Sequence, residues 1–529
     1  MITLLDYGAG NVRSVRNAIR RLGYEAHDVR SADDIHRAER LIFPGVGSFG
    51  SAMRRLREEG YLEPLREYLK AGRPYLGICL GLQTLFEASQ ESPGVAGLGV
   101  IPGQVRRFPD SHLSVPHIGW NGLRIHKGSA LFEGYVGEKV YFVHSYHAVA
   151  DERSREWLLA STDYGEAFVS AVQKGNVAAV QFHPEKSSEA GLRILRNFLA
   201  SGALEAVASQ RSSFLPAETK LAKRIVACLD VRTNDEGDLV VTKGDQYDVR
   251  EAGQVRNLGK PVDLARRYYE EGADEITFLN ITAFRDFPLQ DQPMLEVLRL
   301  TSENVFVPLT IGGGIREYTD SRGKHYSALD VASEYFRSGA DKVSIGGDAV
   351  DAVERYRSAG GNTGRSSLEQ IAQVYGNQAV VVSIDPRRVH VSSPAETERR
   401  TIRTAIPGPN GEQYCWFQCT VKGGREGRDV DAIELAEVCE KLGAGEILLN
   451  SIDRDGTGAG FDIELIRSVS EAVSIPVIAS SGAGSVEHFS EVFERTDVEA
   501  ALAAGIFHRE EVPIADVKRH LRECGIEVR

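Results

Sequence analysis

The sequence predicts an α/β protein of two domains, a mostly parallel sheet with helices on both faces followed by a closed (β/α)8 TIM barrel. Three observations predict this. The chain has 529 residues, more than one domain ordinarily holds. Short apolar runs alternate with amphipathic helical segments along most of it, the pattern of parallel strands joined by crossover helices. From Leu221 onward eight such runs follow one another, the strand count of a closed barrel.

In chain order, ITLLDYG, ERLIFPGVG and RPYLGICLG read as strands closed by Gly-rich turns. NVRSVRNAIRRLG spaces its apolar residues by three and four, which predicts a helix, and LGLQTLFEAS predicts another directly after Cys79. This first domain takes residues 1–205. Segment 206–220 loses periodicity and gains Ser, Gln and Pro, so it reads as a surface linker. The barrel takes 221–529, with strands in RIVACLD, EITFLNIT, VPLTIGGG, DKVSIGG, AVVVSID, EILLNSID, PVIASSG and AALAAG. Extra length falls in three polar stretches, 318–327, 355–367 and 390–428. An open doubly wound sheet is the alternative, disfavoured by eight evenly spaced units. The barrel also repeats itself: VACLDV (226–231) matches VSIDPR (382–387), and LTIGGGI (309–315) matches IASSGAG (478–484). Two matches in one order predict a pseudo-twofold site.

Composition narrows the partners. With 75 Asp+Glu against 62 Lys+Arg the net charge is −13, which argues against a broad nucleic-acid or anionic-membrane surface. Hydrophobic residues at 42% and charged residues at 26% exclude wholesale disorder, and no apolar run is long enough to span a bilayer. The six cysteines are scattered, as in a reducing, cytoplasmic protein, and no targeting segment is read at the N-terminus. Cys415 and Cys419 lack a second Cys/His pair at zinc spacing, so they read as ordinary thiols. No metal or cofactor is expected.

GICLGLQ (77–83) sets Cys79 on a strand-to-helix turn, where a thiol is exposed and its thiolate stabilised by the helix N-terminus. Downstream, QFHPE brings His183 as a base for Cys79 and Glu185 to orient the imidazole. PGVG (44–47) ends a third strand and offers backbone N–H groups to an oxyanion. In this order the three motifs resemble the class I (triad) glutamine amidotransferases over nearly all of residues 1–202. The resemblance implies a flavodoxin-like fold, Cys79 as nucleophile and glutamine as substrate. Glutamine contacts then carry over to Gly47 and Gln83, with His144, Ser145 and Tyr146 nearby and the Val46 peptide as oxyanion donor.

In the barrel, Asp230 and Asp385 end strands in opposite halves, a placement suited to acid/base chemistry from two sides. The glycine-rich ends GGGI, SIGGD, DGTG, SSGAG and AAG fall into two sets, implying a substrate with a phosphate at each end. Lys243 lies in a polar loop that can reach over this mouth. LAKRIVACLDVR, DKVSIG and GAGEILLNSIDRDGT resemble the cyclase of the imidazole glycerol phosphate synthases, and the fused order resembles the bifunctional fungal and plant form. That resemblance implies Asp230 and Asp385 as the acid/base pair. It implies phosphate contacts at Gly314, Gly346, Gly347, Asp455, Gly456, Gly482, Ala504 and Gly505. It further implies a bisphosphorylated aminoimidazole nucleotide as second substrate, ammonia as the shared intermediate, and a monomer, because both activities are fused. Two positions depart from the bacterial pattern: Asn280 stands for an Asp, and Gly505 for a Ser. Arg224, Glu275, Lys342 and Glu446 stand at strand starts and so converge on the barrel floor, ordinarily a solvated stability layer. The resemblance makes them a charged ammonia gate, with Asp341 placed to pair with Lys186. A glutamine-dependent enzyme aminating another bisphosphate, and a regulatory pair that binds both ligands without turnover, remain as alternatives.

Overall fold

The computed structural model describes residues 2–6, 8, 10–45, 47–109, 113–200, 203–204, 218–233, 239–242, 250–251, 254–255, 259–281, 289 and 292–529. Val46, Lys243 and most of the 206–220 segment lie outside the described residues.

In the N-terminal part eight strands form one sheet, in the order Ala26–Asp28, Ile2–Leu4, Arg40–Gly45, Tyr75–Cys79, Val177–Val180, Glu166–Lys174, Leu158–Tyr164 and Arg124–Ile125. The first five are parallel, giving the 2-1-3-4-5 winding of flavodoxin-like sheets. The last three pair antiparallel. Helix Val12–Arg21 forms where the spacing predicts it, burying Val12, Val15, Ala18 and Ile19, and Asn11 caps it by accepting from Ser14 N. The helix expected at LGLQTLFEAS ends after one turn, Leu80–Gln83, and Phe86–Ser89 is a strand beside Ile101–Arg107. Competition for backbone groups explains the difference. Thr84 O accepts from Leu98 N, and Leu85 O from Val100 N and Ile101 N, so these carbonyls are taken by the returning chain.

The C-terminal part is a closed barrel of the eight expected strands: Arg224–Thr233, Glu275–Asn280, Leu309–Gly312, Lys342–Ile345, Val380–Ile384, Glu446–Leu449, Val477–Ala479 and Ala500–Ala503. Each is parallel to the next, and the last pairs back onto the first with Arg224 opposite Ala500, which removes the open sheet. Inward-facing Val226, Cys228, Val381, Leu448, Ile478 and Leu502 fill the interior. The polar stretch 390–428 is largely folded. Strands Pro386–Val391, Ile402–Arg403, Tyr414–Val421 and Glu426–Asp431 make an antiparallel sheet, with Cys415 and Cys419 buried as free thiols on Tyr414–Val421. Its long middle strand alternates enough apolar residues to bury one face, a signal masked by the polar, Gly-rich flanks. Among the described residues no helix is long and apolar enough to cross a membrane.

The first domain docks on the barrel floor. Trp120 Nε1 donates to Asp274 O at 3.1 Å, Asn11 Nδ2 to Asp341 Oδ1 at 2.8 Å, and Ser145 Oγ to Asn377 Oδ1 at 3.1 Å. The C-terminal end of strand Tyr75–Cys79 therefore faces the strand starts of the barrel.

Candidate functional site

Cys79 has φ 54°, a left-handed conformation that costs a non-glycine residue about 1–3 kcal/mol. Its neighbours permit so tight a turn because they are glycines. A Cβ on Gly77 would lie 2.5 Å from Gly81 O, and one on Gly81 would lie 2.2 Å from Phe43 O. The thiol is only 8% exposed, against the exposure its turn predicts. The barrel covers it: Phe336, Ala340, Asp341, Gln378 and Ala379 close the far wall of the narrow cleft into which Cys79 opens.

His183 lines the same cleft as Cys79, and its Nδ1 lies 2.8 Å from Glu185 Oε1, all three side chains being buried. Burial disfavours the imidazolium, but the Glu185 carboxylate and the Cys79 sulfur together outweigh it and hold His183 well above the usual histidine range. Gly47, Gln83, His144, Ser145 and Tyr146 line the same cleft. Burial pushes the His144 imidazole down to about 3, although its Nδ1 is bonded to Tyr146 O. Two groups escaped sequence reasoning. Glu91 lines the cleft, its Oε2 accepting from Phe49 N at 2.7 Å and its carboxyl raised by burial. Gln181 Nε2 lies 3.4 Å from Cys79 Sγ. A lone Glu in a Ser-rich turn carries no motif, and Gln181 was visible only as the first residue of QFHPE.

Arg224, Glu275, Lys342 and Glu446 meet behind the cleft in one closed ring. Arg224 Nη1 lies 2.8 Å from Glu275 Oε2, Lys342 Nζ 2.7 Å from Glu275 Oε1 and 2.5 Å from Glu446 Oε2, and Arg224 Nη2 completes the circuit to Glu446. None is more than 1% exposed, so a solvated layer does not describe them; the docked domain seals the floor. Tyr141 links ring and cleft, since it lines the cleft and its ring-facing hydroxyl is buried. Lys186 Nζ pairs with Asp341 Oδ2 at 2.7 Å, the partnership expected from sequence.

At the opposite end of the barrel, Asp230 lies on the first strand and Asp385 directly follows the fifth, so the two stand on opposite sides of the mouth. Burial raises the Asp385 carboxyl, partly offset by bonds from Asn450 and Ser383. Asp230, Asp455, Gly456, Gly482, Ala504 and Gly505 line one cavity of about 560 Å³. Gly314, Gly346 and Gly347 are not part of it; they follow strands on another arc of the mouth, with Gly347 opening helix Gly347–Ala359. Arg509, missed in the sequence, stands over Gly505: a Cβ there would meet its Nη1 at 2.8 Å. Glycine in place of serine thus loses a hydroxyl and admits a cation. Asn280 is buried at the end of the second barrel strand. Among the described residues no His/Cys/Asp/Glu group is arranged to hold a metal ion.

Comparisons with known proteins agree with this division. A model of class-I glutamine amidotransferases matches residues 3–201, and one of histidine biosynthesis proteins matches 224–513. Over 533 residues the chain is 62% identical to the imidazole glycerol phosphate synthase hisHF, chloroplastic, of Arabidopsis thaliana, covering all of this chain and 89% of that protein. It is 56% identical over 544 residues to the hisHF of Emericella nidulans, covering 100% and 98%. It is also 42% identical over 309 residues to the HisF subunit of Methanosphaera stadtmanae, which spans 58% of this chain.

Proposed function

Because the chain belongs to the imidazole glycerol phosphate synthases of the fused hisHF form, we propose the following division of labour among its residues. The enzyme joins a glutamine amidotransferase to a cyclase of histidine biosynthesis, with 1–205 releasing ammonia, 206–220 as linker and 221–529 consuming it. Cys79 attacks the side-chain carbonyl of glutamine, the Val46 peptide and Gly47 holding the oxyanion. His183, oriented by Glu185, protonates the departing ammonia and then activates water, which cleaves the thioester to glutamate. Gln83 and the 144–146 backbone hold the substrate, and Glu91 is the carboxylate available to its ammonium group.

Ammonia then passes the Arg224–Glu275–Lys342–Glu446 ring into the barrel. It cleaves the phosphoribulosyl-formimino aminoimidazole carboxamide ribonucleotide, yielding imidazole glycerol phosphate, aminoimidazole carboxamide ribonucleotide and water. Asp385, whose carboxyl burial keeps protonated further up the pH scale, suits the proton donor, and Asp230 the base. Gly314, Gly346 and Gly347 hold one phosphate. Asp455, Gly456, Gly482, Ala504 and Gly505 hold the other, and Lys243 is a further substrate-binding residue.

One observation carries this reading: the cleft holding Cys79 and His183 is walled by the barrel, so ammonia is released against the barrel floor. Ammonia set free in water at neutral pH becomes mostly ammonium, which is not nucleophilic, so a shielded route serves the reaction. Both substrates are small molecules bound by one chain. A monomer without nucleic-acid partners and a cytoplasmic location complete the proposal; light scattering and cell fractionation test them. The decisive experiment is product analysis on Cys79→Ala. Glutamine-dependent turnover is expected to vanish while ammonium-supported turnover persists, and loss of both rejects the two-site scheme.

A further inference from the structure

A buried polar chain beside Cys79 goes unused by the triad. It is organised by the Tyr146 carbonyl, which can only accept hydrogen bonds. That oxygen lies 2.9 Å from Gln83 Nε2 and 2.8 Å from His144 Nδ1, so both nitrogens donate to it. A flipped Gln83 amide would set oxygen against oxygen, so its nitrogen is fixed toward the cleft. The same nitrogen spends its second hydrogen on Gln181 Oε1 at 3.1 Å. With its oxygen engaged, Gln181 turns Nε2 the other way, to 3.4 Å from Cys79 Sγ. Gln181 is wholly buried, and its backbone N–H is tied to Ser170 O at 2.9 Å. The second branch has the same sense. His144 Nε2 is left as acceptor for His117 Nδ1 at 3.2 Å, and His117 Nε2 for Asn121 Nδ2 at 3.4 Å. Each nitrogen assigned as a donor in the two branches meets an acceptor, with one orientation throughout.

We propose that Gln181 is a hydrogen-bond donor to the nucleophile, held in its donating orientation by the Tyr146 carbonyl acting through Gln83. This rests on the reading of Cys79 as the glutaminase nucleophile. A donor to sulfur favours the thiolate over the thiol. It also fixes the Sγ position in a turn whose backbone is already strained. Gln181 therefore governs how much thiolate is present and where it points, while Gln83 transmits the orientation.

The test uses the full chain without glutamine. Alkylation of Cys79 by iodoacetamide is followed on its own peptide as a function of pH. Gln181→Met keeps the volume and removes the donor; Gln181→Glu keeps the shape and presents an acceptor. In both, the pH of half-maximal alkylation is expected to rise, by about one unit for Met and more for Glu. Glutaminase kcat is expected to fall about tenfold or more, and KM for glutamine to change less than about threefold. Gln83→Leu frees the Gln181 amide without altering it and is expected to shift the alkylation profile the same way by less. Circular dichroism and the thermal unfolding profile of the full chain report that each variant is folded. Unchanged alkylation profiles in folded Gln181→Met and Gln181→Glu overturn the proposal. If neither folds, the Gln83→Leu profile decides, and no shift overturns it. Failure of the underlying reading looks different: Cys79→Ala would still turn over glutamine, and the nucleophile itself would be lost to the scheme.

Discussion

Glu446→Gln probes the buried ring most sharply. Two cations and two carboxylates close a neutral circuit with none more than 1% exposed. Glu446 is shared by Arg224 and Lys342, so an amide there leaves Glu275 alone to serve both cations, at 2.8 and 2.7 Å. Removing one partner of a buried pair costs about 3–5 kcal/mol, and the surviving contacts to Glu275 place this change near 3 kcal/mol. At about 2–4 °C per kcal/mol for a domain of this size class, Tm should fall by about 6–12 °C. Lys342→Met in the same chain restores charge balance through Arg224 and Glu275. The double variant should therefore lose less than the sum of the singles by about 1.5 kcal/mol or more. Burial raises the Glu446 carboxyl, but Arg224 and Lys342 outweigh it and hold it below the usual range. A depressed folded value means the parent's advantage is complete above the ordinary glutamate range and shrinks as pH falls through the folded one. Urea and thermal unfolding at several pH values read the stability; glutamine consumed per imidazole product reads the gate, and should rise. Stability within about 1 kcal/mol of the parent, or strict additivity in the double variant, would refute a coupled buried network.

Three further outcomes follow from the two sites. Glu185→Gln removes the larger of the influences that raise His183, so burial pulls the imidazole down; glutaminase should fall about 10²–10⁴-fold at neutral pH, with its alkaline limb shifted to lower pH, as a pH–kcat profile will read. Gly81→Ala drives a Cβ to 2.2 Å from the Phe43 carbonyl, a backbone atom that cannot step aside. Glutamine-dependent turnover should drop at least about tenfold while ammonium-supported turnover persists, and equal loss of both would mean the whole fold suffers. Asp385→Asn should abolish cyclisation with either nitrogen source by about 10²–10⁴-fold while glutamine hydrolysis continues; normal ammonium-supported turnover rejects its role.

The barrel was legible because its strands are apolar runs, seven of the eight closed by glycine or aspartate, and all eight runs became strands. The chemistry-bearing residues were legible where chemistry demands a residue type at a fixed spacing, as in G-x-C-x-G and H-P-E. What stayed hidden depends on tertiary neighbours. The 80–89 segment has helical spacing, yet the strand Ile101–Arg107 takes it from Phe86 onward. The burial of Cys79 depends on the docking of the barrel over its turn, which no local pattern announces. Glu91, Gln181 and Arg509 act through positions reached only after folding, each lying on a segment whose own motif, if any, points elsewhere. The ring residues were recognisable as strand starts, but their closure into one circuit is a property of the barrel.

Lys186 shows how the two sites are tied mechanically. It follows Glu185 directly, and its partner Asp341 directly precedes Lys342 of the ring, so a single ion pair joins the triad segment to the gate. The Lys186 side chain is 2% exposed and that of Asp341 17%. Lys186→Met would leave the Asp341 carboxylate without its cation, but not without donors. Asn11 Nδ2 and Leu309 N remain at 2.8 Å each. The expected loss of stability is therefore about 1–3 kcal/mol, the range for a group that loses one partner and keeps others, below the 3–5 kcal/mol typical of a bare buried charge. The effect on coupling should be larger than that on stability. With the pair broken, the contacts from this turn to the barrel among the described residues include Ser188 N to Phe306 O at 3.0 Å and Ser188 Oγ to the Tyr269 hydroxyl at 3.3 Å. Glutamine hydrolysed per product formed should then exceed one while ammonium-supported turnover is kept. A ratio that stays at one in Lys186→Met would mean that the covalent linker and the remaining interface suffice to align triad and ring.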